Sequence, residues 1–152
     1  MKLQLSFIFL FFTTIAQANF DKKFYYNSLY SSDVVLVNQQ LKLLSTSSIK
    51  EKDAFEGTLL MKKAELVLDK KEKLKLFKLG KSKLESSILK DEKNCEFRFL
   101  RIIIQEHAPK ILNYQNNLTE DSKFVKTNLN SNPELLKKII LDYSRTSLHL
   151  KL

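Results

Sequence analysis

The chain has 152 residues, 43% of them hydrophobic, with 26 Lys+Arg against 17 Asp+Glu, two Gly, two Pro, one Cys and no Trp. That apolar share is too high for disorder, Gly and Pro are too scarce for a loop-rich sandwich, and a lone Cys excludes a disulfide framework or a thiolate cage. Two Gly at 57 and 80 cannot write a phosphate-cradling GxGxxG or GxxxxGK[ST] loop, and two His cannot write HExxH with a third ligand, so no cofactor, metal site or catalytic set is assigned.

Residues 1–18 read as an export signal. Met1-Lys2 is a short positive start, Leu5 to Phe12 an almost unbroken apolar run, and Ala16-Gln17-Ala18 a small-x-small cleavage pattern. The run is shorter than the ~20 residues that cross a bilayer, so cleavage is preferred to a permanent anchor. Removing the signal takes one of the 26 basic residues and leaves 25 against 17, a formal charge of +8. Residues 19–152 then form a single exported domain, periplasmic or secreted, with no transmembrane segment. Nucleic acid is not expected as a partner there; anionic head groups, acidic glycans and acidic proteins are.

The exported region reads as helix after helix, with helical periodicity and N-cap residues in place of hairpin turns. A first helix spans about 20–30 and carries Phe24, Tyr25, Tyr26 and Leu29. Ser31-Ser32-Asp33 caps a second, about 33–45, whose Val34, Val37, Leu41 and Leu44 share one face. After the Ser45-to-Ser48 linker, a third helix over about 50–68 buries Ala54, Leu60, Met61 and Ala64. A fourth, about 70–89, sets Leu74, Phe77, Leu84 and Ile88 on one stripe. Gly57 and Gly80 interrupt these two helices at ~1 kcal/mol each relative to Ala, which means either a tight antiparallel hairpin or a kink.

A fifth helix, about 95–107 behind Asn94, is the most informative. At 100° per residue, Phe97, Phe99, Leu100, Ile102, Ile103 and Ile104 sweep about 220°, while Arg98, Arg101 and Gln105 fall within about 60°. Such a helix belongs at the centre of the fold, and Pro109 stops it. Thr119 is expected to cap a helix of about 120–129. Asn132-Pro133-Glu134 opens the last, about 133–149, with a cap, a proline in the first turn and an acid at the positive end of the dipole. The expected architecture is a compact all-α bundle of about six to eight short helices.

Ala54-Phe55-Glu56-Gly57, then Leu74…Phe77-Lys78…Gly80-Lys81…Leu84-Glu85…Ile88, Asn94…Glu96…Arg98-Phe99-Leu100-Arg101…Gln105…Pro109 and Glu120-Asp121…Phe124 together resemble a family of small exported bacterial proteins of uncharacterised function. The resemblance implies an all-helical fold and carries no activity. Leu84-Glu85…Ile88…Asp91…Asn94 is also similar to the hairpin of tetratricopeptide repeats, though Glu92-Lys93 replaces the usual proline and no second copy follows at a 34-residue period.

Arg98, Arg101 and Gln105 are the sharpest candidate site. Two guanidiniums one turn apart on an oily helix either hold a carboxylate or phosphate, or pair internally with Glu65, Glu85, Asp91 or Glu96. Lys70, Lys71, Lys75 and Lys78 form a basic helix face, read as solubility or as a salt-sensitive contact with acidic surfaces. Tyr25, Tyr26 and Tyr30, with Phe20 and Phe24, are core or a peptide-binding groove. Cys95 is a small buried hydrophobe or, near a helix N-terminus, a reactive thiol. Glu106 and His107 point about 100° apart and do not form an acid/base pair; a cation at a helix C-terminus explains His107. His149 lies in the tail and suggests no role.

Three functional readings stand. The preferred one is a non-enzymatic binder of a protein or peptide of the cell envelope. The alternatives are a small hydrolase or transferase built on Glu65, Glu85 and Arg98, and a binder of acidic surfaces through the Lys-rich helix. Carboxylates and an Arg converging unpaired on an open cleft point to the enzyme; closed Arg–carboxylate pairs point to the binder.

Overall fold

The computed structural model describes residues 20–152; the export signal read at 1–18 lies outside them. Within that span the chain is an all-α bundle of seven helices: α1 (Lys22–Tyr30), α2 (Val34–Ser45), α3 (Lys52–Leu66), α4 (Lys70–Lys90), α5 (Cys95–His107), α6 (Leu118–Asn128) and α7 (Glu134–Ser144). Single 3₁₀ turns at Lys110–Leu112 and Leu129–Ser131 join the last three, and no strand occurs among the described residues.

Short polar side chains set most of the helix starts. Asp21 accepts from the backbone N–H groups of Lys23 and Phe24, Asp33 from Val35, Asp69 from Glu72, and Asn94 from Phe97 at 3.1 Å. Each satisfies donors that the first helical turn leaves unpaired. Pro109 stops α5 as expected, with Ala108 already extended.

Three boundaries depart from the sequence reading. α6 begins at Leu118, ahead of Thr119, and no side chain caps it. Asn117, the residue before it, has its amide oxygen committed to Gln105 at 3.2 Å. Asn132 does not cap α7 either; its amide group donates back to the carbonyls of Asn128 and Leu129. α7 ends at Ser144, five residues short of 149, because the next segment finds hydrogen bonds outside a helix, on Glu106.

α3 and α4 form the tight antiparallel hairpin. Asp53 meets Lys83, Gly57 meets Gly80, and the Glu65 carbonyl meets Lys73, a pairing that runs the two helices in opposite directions. A Cβ on Gly57 would sit 2.6 Å from the Gly80 carbonyl oxygen, and one on Gly80 would collide with the Gly57 carbonyl. The backbones therefore touch where only glycine leaves room. Phe77, Leu84 and Ile88 of α4 are buried, whereas Leu74, expected on the same stripe, is 45% exposed. It lies about 60° around the helix from Phe77, on the edge of the buried face.

α5 occupies the middle. From Cys95 to Gln105 every residue except Arg98 is buried, against α3 and α4 on one side and α6 on another. Tyr25 and Tyr26 of α1 are core residues, packed on Phe55 at 4.6 Å and Phe99 at 6.1 Å between ring centres. Burying aromatic residues of this size supplies a large share of the core's hydrophobic free energy.

Candidate functional site

The arginine face of α5 meets α6 across a closed polar seam. Arg101 donates from Nε and Nη2 to the two oxygens of Asp121, at 2.6 and 2.8 Å, and from Nη1 to Glu85 at 2.7 Å. Arg98 donates from Nη1 to Asp121 and Glu120, both at 2.9 Å, and from Nε to the Glu92 carbonyl. The Tyr114 hydroxyl donates to the other oxygen of Glu85, and Gln105 exchanges hydrogen bonds with Asn117. Arg98 further lies 4.5 Å over the Phe124 ring.

Asp121 is fully buried, a position where a carboxylate survives only among matched donors. Burial alone would lower the pKa of Arg101, but its bonds to Asp121 and the charge of Glu85 raise it above the usual value. Burial likewise opposes the charge of Arg98, and Glu120 and Asp121 overcome it. Of the partners expected from sequence, Glu85 joins the seam; Glu65 pairs with Lys62 at 2.9 Å and buried Glu96 with Lys22 at 2.7 Å. The central acid, Asp121, was not among them. Its signal was available: Leu118, Asp121, Ser122 and Val125 share the buried face of α6, and an acid on such a face needs cations opposite.

A second buried acid holds the C-terminal segment. Glu106 accepts from the hydroxyls of Ser147 (2.6 Å) and Tyr143 (2.5 Å) and from the backbone N–H of His149 (2.8 Å), with the His149 ring 3.1 Å away. Burial pushes its pKa up, but these donors outweigh it and hold the carboxyl below the ordinary range. Leu150 is thereby fully buried, so His149 is part of a clasp and not a free tail. His107 turns away from Glu106, its Nδ1 2.8 Å from the Ile103 carbonyl.

Lys70, Lys71, Lys75 and Lys78 are solvent-exposed and make no ion pair within the described residues. On an ideal helix they span about 140° of the α4 surface. Cys95 is buried, and burial raises its thiol pKa, the opposite of what an activated nucleophile requires.

Two concavities open beside these elements. The larger, about 870 Å³, runs between α1, the end of α5 and α7. Tyr30 and Tyr143 stack across it at 6.1 Å, Ile139 and Leu148 add apolar surface, and Lys23, Lys138 and Asp142 border it, Asp142 being paired with Arg145 at 3.6 Å. Of the N-terminal tyrosines only Tyr30 is exposed to it, at 45%. The smaller, about 440 Å³, lies where the ends of α3 and α5 meet the start of α4. Among the described residues no His, Cys, Asp or Glu group is arranged to hold a metal, and no helix is long and apolar enough to cross a membrane. Neither a family model, a curated protein nor a solved structure matches the chain.

Proposed function

We propose that this chain is an exported, non-enzymatic binding module that receives a peptide segment of an envelope protein in the groove between α1 and α7. The observation that carries the reading is the groove's composition: stacked Tyr30 and Tyr143 beside Ile139 and Leu148, with Lys23 and Lys138 at the border. Exposed tyrosines next to aliphatic side chains offer large contact area at small entropic cost. The matching partner is a segment with an aromatic or aliphatic anchor and a neighbouring acid.

The closed seam supports a binder over an enzyme. Glu85 is shared by Arg101 and Tyr114, and both oxygens of Asp121 are occupied, so neither carboxylate is turned toward a substrate. The resemblance to small exported helical proteins and the signal at 1–18 support placement in the envelope.

A displayed peptide library selected on the full chain tests the proposal. Enrichment of sequences pairing a large apolar residue with Asp or Glu is expected, and Tyr30→Ser and Leu148→Asp, both at exposed positions, should abolish it. Equal recovery on the Leu148→Asp variant would sink the reading. The unpaired lysines of α4 favour a second one, attachment to an acidic surface. Retention on anionic vesicles should then fall steeply between low and high salt and disappear when Lys70, Lys71, Lys75 and Lys78 are all replaced by Gln.

A further inference from the structure

The smaller cavity is a different kind of site from the groove. Its floor is Met61 and Ala64 of α3, Phe77 of α4 and Ile104 of α5, all buried. Its mouth is apolar yet open to water, with Leu74 45% exposed and Ile111 92% exposed on the 3₁₀ turn after Pro109. An apolar hollow continuous with exposed apolar side chains is a candidate contact surface.

Charge stands only at the rim. Lys70 makes no ion pair among the described residues; Lys73 donates one bond to the Glu65 carbonyl, and His107 lies close by. The single acid of the lining, Glu65, is neutralised by Lys62 at 2.9 Å. The rim is thus net cationic above an oily floor. At about 440 Å³ it sits at the small end of small-molecule sites, which run from about 300 to 1,000 Å³.

We infer that this cavity binds a single-chain alkyl carboxylate, a free medium-chain fatty acid, with the chain on Phe77, Met61 and Ile104 and the carboxylate between Lys70 and Lys73. Burial of the chain supplies the affinity, and the lysines select an anion over a neutral or cationic head. Ile111 and Leu74, exposed at the mouth, flank the alkyl chain. This inference is independent of the peptide groove, whose lining shares only His107 with it.

Titration calorimetry of the full chain below micellar concentrations tests it with hexanoate, octanoate and decanoate. Affinity should rise about fourfold per added methylene, the change that about 0.8 kcal/mol per buried methylene implies. Decanol and decyltrimethylammonium should bind at least tenfold more weakly than decanoate. Leu74→Asp and Ile111→Asp, both at exposed positions, should each weaken decanoate at least tenfold while helical circular dichroism is unchanged; Leu68→Asp, exposed and outside the cavity, should leave it as it is. Absent decanoate binding, affinity independent of chain length, equal binding of the cationic amphiphile, or binding to phospholipid vesicles alone would each overturn the assignment. Failure here leaves the peptide selection untouched, and the reverse holds too.

Discussion

Asp121 and Glu106 are two buried carboxylates held in opposite ways. Asp121, fully buried, is met by two guanidiniums; Glu106, with a side chain 5% exposed, is met by two hydroxyls, a backbone N–H and an imidazole. The first arrangement ties α5 to α6 through charges that cannot be separated without leaving one unpaired in the interior. The second fixes the C-terminal segment through donors that are satisfied by water as soon as they are released. The seam is therefore expected to open only with global unfolding, and the clasp to open locally.

The largest effect separating them is Asp121→Asn. Neutralising the acid at the centre of a buried ionic cluster leaves Nε and Nη2 of Arg101 without a carboxylate, with Glu85 as its one remaining charged partner, and should cost about 3–5 kcal/mol, read as a fall in the urea midpoint. The double variant Arg101→Met/Asp121→Leu should recover much of that loss, since replacing both partners with apolar residues is close to neutral. A double variant as unstable as the single one would show that the cost lies with Arg98 and Glu85, each of which loses a charged partner in it.

Glu106→Ala should cost less, about 1.5–3 kcal/mol, the scale of hydrogen bonds to a charged group. Its signature is local: faster amide exchange at 145–150 with protection of α5 retained. pH sharpens the contrast. The folded pKa of Glu106 lies below the ordinary 4.5, so its contribution is fully present above about 4.5 and is lost as pH falls through the lower folded value. Exchange at the C-terminal segment should accelerate over that interval in the native chain and not in Glu106→Gln.

The same contrast explains what was readable from the residues alone. The helices follow from local information: Asp33 and Asn94 are caps, Pro109 is a stop, and the apolar sweep of α5 places it at the centre. Gly57 and Gly80 announced a close approach or a kink, and the approach is what occurs. Glu85, sixteen residues from Arg101, is one of the four acids near enough in sequence to be named as partners, whereas Asp121, twenty residues on, required knowing that α6 returns to the arginine face. The clasp was less visible still. Its donors lie 37 to 43 residues from Glu106, and the periodicity that extended α7 to 149 carries no trace of the hydroxyls that end it early.

Within the seam, the Tyr114 hydroxyl is a smaller contributor. Tyr114→Phe removes one donor from Glu85, which keeps Arg101, so a loss of about 0.5–1.5 kcal/mol is expected from thermal unfolding. A loss as large as that of Asp121→Asn would mean that Glu85 depends on the phenol more than on the guanidinium.

The smallest effect belongs to the outside of the α3–α4 hairpin. Lys83 pairs with Asp53 at 2.8 Å, as short as the ion pairs of the seam, and with Glu56 at 3.2 Å, but the side chain of Asp53 is 55% exposed. Water competes for each partner and salt screens them, so Lys83→Met should cost about 0.2–1 kcal/mol in dilute buffer, and less in concentrated salt. The Asp121→Asn loss should change little over the same salt range, because its charges are out of reach of solvent ions. Equal salt sensitivity in the two variants would mean that burial does not distinguish the seam from the surface, and the contrast between Asp121 and Glu106 would lose its physical basis.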